Sequence, residues 1–198
     1  MNKTKFLNLI LALAIGVVSA TVQAASTIKI SDLPKPKANN SVSPNNQQSA
    51  PEMNVLYKTH NLTPQAALVV AQAAMKNCRD SGYQVSVVVV DRGGVMQVLL
   101  RDRLAGIKTP EIATLKAKTA LSFKSSTSVL AEAVLENKSL EAVTDVPGVL
   151  FLGGGITITA AGTIIGAIGV SGAPDAKFDE RCAIIGLKPI AGMLEFAE

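Results

Sequence analysis

The sequence predicts an α/β fold, more strictly α+β, in which a five-stranded antiparallel sheet is flanked by helices. Three observations carry that prediction. Apolar residues recur at helical spacing near 62–81, 109–124 and 175–187, whereas short β-branched runs fall in groups between them. Within each group the runs are joined by glycine-rich links too short for a crossover, so neighbouring strands must be antiparallel. Thr63-Pro64 and Thr109-Pro110 each place a capping hydroxyl before a proline, the usual opening of a helix.

In chain order, the first helix starts at Pro64 and buries Ala66, Ala67, Val70, Ala74, Met75 and Cys78, until Gly82 ends it. A strand over 83–91 and one over 95–103 form a hairpin about Arg92-Gly93-Gly94. The second helix runs from Thr109 to about Lys124, and a shorter one from Ser128 to Glu136. The stretch 137–148 reads as loop, with a turn at Pro147-Gly148. Strands are expected at 149–152, 156–159 and 164–170, followed by a last helix over 175–187.

Residues 1–24 read as a secretory signal peptide: Lys3 and Lys5 precede an apolar stretch from Phe6 to Val18, and Val22-Gln23-Ala24 suits signal peptidase. That stretch is too short to span a membrane, which takes about 20 residues. Residues 25–57, rich in Pro, Asn and Gln, read as a flexible spacer, which leaves 58–198 as the domain. The expected protein is periplasmic or secreted, with no membrane association after signal cleavage. Charge agrees with this division. The net +4 resides in the leader and spacer, because acidic and basic residues balance from His60 onward. A neutral domain with 4% aromatic residues and no Trp is not built for nucleic acid. Inside the domain, Arg101, Arg103, Lys108, Lys116, Lys118 and Lys124 make a basic region, and acidic residues predominate after Ser125. Such polarity suits a subunit contact or a pocket for a carboxylate.

The motifs that could carry chemistry are few. Gly153-Gly154-Gly155 is followed by a strand and lacks the Lys-Ser/Thr of a phosphate loop, so it reads as a turn or bulge. His60, the only histidine, is the one ordinary imidazole, and without a Gly-x-Ser-x-Gly elbow a hydrolase triad has no support. No Cys-x-x-Cys-His is present, which excludes covalent c-type haem. Cys78 and Cys182, the only cysteines, lie on the first and last predicted helices. They are either a disulfide, as export permits, or two buried thiols. Lys116 shares a helical face with Ala113, Ala120 and Phe123, where small residues would leave room for a flat ring and the Lys could meet a carboxylate.

Several segments occur in a recognisable order: Val87 to Gly94, Arg101 to Gly106, Lys116-Ala117-Lys118-Thr119-Ala120, Pro147-Gly148, Gly153 to Gly155, and Gly166 to Gly172. Together they resemble the GlcG/HbpS-like family of haem-binding proteins, whose domain also ends the PduO-type cobalamin adenosyltransferases. The resemblance implies a profilin-like sandwich, assembly into homo-oligomers, and haem as cofactor in a surface groove. In exported members it implies haem or iron handling or redox sensing. It carries over Lys116 and Thr119 as haem-site contributors. Where similar members often read Pro-His-Thr, this chain has Ile107-Lys108-Thr109, which leaves His60 as the imidazole candidate for the iron, or else a Thr oxygen, or binding mainly through propionate and ring contacts. The expected haem site therefore comprises His60, Lys116, Thr119, Arg101 and Lys108, with a sensor or transport partner unspecified. Two alternatives stand beside it: a ligand-free self-assembling interaction module, and an accessory protein of small organic acid metabolism. No acid/base constellation marks an enzyme.

Overall fold

In the computed structural model, residues 55–195 are described. The leader 1–24 and most of the spacer 25–57 lie outside them.

Helix α1 spans Pro64–Asp80, and Thr63 caps it by accepting the Ala66 N–H at 3.3 Å. Strands β1 (Ser86–Asp91) and β2 (Met96–Arg101) follow as an antiparallel hairpin. The turn between them is organised by the Asp91 carboxylate, which accepts N–H bonds from Gly93 (2.8 Å) and Val95 (2.9 Å). Then come α2 (Thr109–Phe123), α3 (Thr127–Glu136), a 3-10 segment over Lys138–Asp145, β3 (Gly155–Ala160), β4 (Thr163–Ser171), α4 (Ala176–Leu187) and the short α5 (Ala191–Glu195). The sheet is antiparallel throughout, in the order β2-β1-β4-β3.

The architecture is therefore α+β with a helix-flanked antiparallel sheet, as the pattern predicts, but among the described residues the sheet has four strands. Residues 149–152 run as extended chain outside it. The Leu150 N–H donates to the Thr119 hydroxyl of α2 at 2.9 Å, so this backbone finds its partner on a helix rather than on a strand. Thr109 is also not a cap. Its hydroxyl donates to the Gly106 carbonyl at 2.8 Å and lies 2.7 Å from the Ser86 hydroxyl; Thr109 is the first residue of the helix and Lys108 holds the cap position, one residue earlier than the sequence signal implies. The expected loop 137–148 contains the 3-10 segment, capped by the Asn137 side chain, which accepts the Ser139 N–H at 3.0 Å.

The two faces of the sheet are covered differently. On one, α1 and α4 bury Val70, Ala74, Met75, Val85, Val87, Val89, Ile168 and Val170 in the main core. There the Cys78 and Cys182 sulfurs are joined in a disulfide with Cα atoms 5.6 Å apart, and Gly186 lets α4 approach Ala74. On the other, α2 lies almost on the backbone. A Cβ at Gly169 would stand 2.0 Å from the Ala113 carbonyl oxygen, and one at Gly155 2.3 Å from that of Lys116. The alanines of α2 exist to permit this approach. Ala113 and Ala117 are fully buried against Val88, Val90 and Ala167. The space expected to receive a flat ring is thus filled by the sheet.

Candidate functional site

Three places gather polar chemistry: a buried lysine beneath the glycine loop, a cavity at the start of the domain, and a groove between α3 and α4.

Lys116 points inward from α2 with 1% exposure. Its ammonium donates to Asp179 Oδ2 of α4 at 2.9 Å and to the Val170 carbonyl at 3.1 Å. The other Asp179 oxygen accepts the Ala173 N–H at 2.9 Å. Desolvation pulls Lys116 below the usual ammonium range, opposed by the charge of Asp179. Desolvation likewise raises the Asp179 carboxyl, opposed by Lys116. The glycine loop closes over the pair. Gly154 has φ +117°, and a Cβ there would meet the Val170 oxygen at 2.6 Å and Lys116 Nζ at 3.1 Å. Such an enclosure joins α2, α4, the end of β4 and the loop, and keeps the ammonium out of solvent. The expectation that Lys116 meets a bound carboxylate is corrected here: the ammonium is already spent on Asp179. Thr119, also buried, holds Leu150.

The remaining predicted site residues are dispersed. Arg101 donates to the Ala105 carbonyl, and Lys108 pairs with Glu111 at 2.7 Å, an exposed contact whose hydrogen bond raises the lysine pKa. Both lie at the β2–α2 connection and are exposed. His60 is elsewhere, lining a cavity of about 370 Å³ with Leu62, Ala66, Ala160, Ile165 and Leu194. Asn61, which also lines the cavity, is held by Arg92: the Arg92 backbone N–H donates to the Asn61 side chain at 3.1 Å, and the Arg92 guanidinium donates to the Ile164 carbonyl. Asn61 and Arg92 were not singled out by the sequence, since 31 residues separate them and only the hairpin's placement brings them together. The sequence signal for Asp179 was Lys116 itself, because a lysine on an alanine face requires a buried counter-charge.

The groove between α3 and α4, about 660 Å³, is walled by Ala131, Leu135, Leu152, Ile184 and Ile185, with Arg181 and Lys188 at its edge. Among the described residues, no cluster of His, Cys, Asp and Glu could hold a metal ion, and no helix is long and apolar enough to cross a membrane.

A four-stranded antiparallel sheet with a helix seated on its glycines and a lysine locked beneath a glycine loop defines a compact class of α+β domains. The chain belongs to the HbpS-like family, whose model, described as haem degrading protein HbpS-like, matches residues 62–188. It is similar to the crystal structure of a double mutant of HbpS from Streptomyces reticuli, with 37% identity, TM-score 0.66, and coverage of 76% of this chain and 98% of that one. The Klebsiella pneumoniae protein ORFY has 29% identity, TM-score 0.67, and coverage of 70% and 97%. A structure described as a PduOC:haem complex has 26% identity, TM-score 0.59, and coverage of 65% and 94%.

Proposed function

We propose that this protein binds haem at the cavity lined by His60. The observation that carries the reading is the position of the chain's only histidine, on the wall of an apolar cavity. Leu62, Ala66, Ile165 and Leu194 suit an apolar macrocycle edge, and His60 is an imidazole able to ligate iron. At about 370 Å³ the cavity falls within the range of small-molecule sites, about 300–1,000 Å³, and would leave part of a macrocycle in solvent. Family membership and the haem complex of a 26% identical relative support the choice of ligand. When bound, the iron supplies redox chemistry; the protein binds and orients the group. The leader supports an exported, periplasmic or secreted setting in which such a protein handles or senses haem. A haemin titration of the protein tests this. We expect a shifted absorbance band that is lost in His60→Ala, whereas a band unchanged in His60→Ala, or a spectrum of free haemin throughout, overturns the assignment.

A second observation supports self-assembly. Leu104 and Ile107 are 71% and 87% exposed beside β2, an edge strand that also exposes Met96 and Leu99. An apolar edge of this kind suits a second copy of the chain. Light scattering against ionic strength distinguishes it from assembly through the charged regions, which salt would dissolve.

A further inference from the structure

We propose that the groove between α3 and α4 is a binding site for an aliphatic carboxylate, an unbranched fatty acid by chemical class, distinct from the His60 cavity. The walls are entirely aliphatic at their apolar positions: Ala131 and Leu135 from α3, Leu152 from the extended chain, Ile184 and Ile185 from α4. Leu135, Leu152 and Ile184 are 84%, 43% and 49% exposed, so a continuous apolar surface faces solvent rather than core. That surface is where an aliphatic tail gains from leaving water.

The charges at the groove select the headgroup. Three cations line it, Lys177, Arg181 and Lys188, against Glu132 and Glu180. Lys177 is engaged by Asp175 at 3.0 Å. Glu180 is turned into the wall: one oxygen accepts the Ser128 hydroxyl at 2.7 Å, and the other is enclosed without a hydrogen-bond partner, close to Gly153. Glu180 also raises the pKa of the buried Lys116, as the smallest of the influences on that lysine. Arg181 and Lys188 have no acidic partner within 4.0 Å among the described residues. They lie seven residues apart on the α4 side, about 10 Å by helical rise and on one face of the helix, so that a carboxylate at Arg181 leaves Lys188 at the far end of the same wall. A guanidinium receives a carboxylate through two parallel N–H bonds, which a neutral headgroup cannot match.

The same lining argues against a metal-bearing macrocycle here. It offers no imidazole, thiol or thioether to an iron, and no aromatic ring to stack on a flat ligand. A flexible aliphatic anion needs neither.

Dodecanoate, kept below its micelle concentration, is the probe, titrated calorimetrically into the full protein. We expect saturable binding with one site per chain. Arg181→Gln should weaken it at least tenfold, and Ile184→Asp should abolish it. Both positions are exposed, so the melting temperature should not move. Dodecanol should bind at least tenfold more weakly than dodecanoate. The assignment is overturned if no saturation occurs, if dodecanol binds equally well, or if Arg181→Gln matches the parent. Haemin that displaces dodecanoate from the parent protein would assign the groove to haem and overturn it as well. His60→Ala keeps the two readings separable, because it should lose the haemin band and retain dodecanoate binding.

Discussion

Two neighbouring residues of α4 serve opposite sides of the molecule. Asp179 faces inward, where its carboxylate is 4% exposed and matched to the Lys116 ammonium at 2.9 Å. Glu180 borders the groove, where the aliphatic side chains of α3 and α4 stay open to solvent. On the inward side, glycines with no room for a methyl group fix every distance, and each charge has its counterpart. On the outward side the packing is unfinished, and Arg181 and Lys188 have no acidic partner among the described residues. The contrast teaches which charges hold the fold and which remain for a ligand. A cation on this domain informs about binding only once its burial is known.

Breaking the inward side should produce the largest effect. Lys116→Met leaves Asp179 as an unpaired buried carboxylate and should destabilise the fold by about 3–5 kcal/mol, measured by urea unfolding. Lys116→Met combined with Asp179→Asn removes both charges while keeping an acceptor for the Ala173 N–H, and should recover most of the loss. If the double variant is as unstable as the single one, the pair is not the source of the effect.

The disulfide between α1 and α4 comes next. Replacing both Cys78 and Cys182 with Ala should lower stability by about 2–5 kcal/mol in the manner of native bridges in small exported domains. Both sulfurs lie on the packed side of α4, so dodecanoate affinity under folding conditions should not change. Loss of that affinity would show that the two sides of α4 are not independent.

The smallest expected effect lies at the start of α4 and sharpens the comparison through pH. Asp175 caps the helix: its carboxylate accepts the Lys177 N–H at 3.0 Å and pairs with the Lys177 ammonium, which together hold its pKa below the ordinary 3.8. Since the folded value is the lower one, this contribution is present above pH 3.8 and is lost as the pH falls through the folded value. Amide exchange in the first turn of α4 should therefore accelerate in that window. Asp175→Asn, a comparable cap that does not titrate, should flatten the dependence.

The helices were legible because their signals are local. Thr63 before Pro64 and the 3.6-residue apolar spacing of α1 need no knowledge of the rest of the chain. The hairpin about Gly93-Gly94 was legible for the same reason. The fifth strand was not, because residues 149–152 look like any short apolar run, and whether they pair with a strand or with Thr119 depends on where α2 lies. The site was partly legible. His60 was visible as the only imidazole, but the apolar wall behind it comes from Ala160, Ile165 and Leu194, about a hundred residues or more away.

Sequence alone determined the helices, the two hairpin strand pairs, and the family pattern carried by Lys116, the glycine loop and the Gly166–Gly172 segment. Tertiary structure decided what each charge does. Lys116 looked available for a ligand because a helical wheel shows a lysine beside alanines, yet those alanines bring α2 so close to the sheet that the lysine is enclosed and must meet Asp179, 63 residues further on. Arg181 and Lys188, unremarkable in sequence, were left exposed at the groove because α3 and α4 do not close on each other. Local patterns set the backbone, whereas burial, which depends on every element at once, sets the electrostatics.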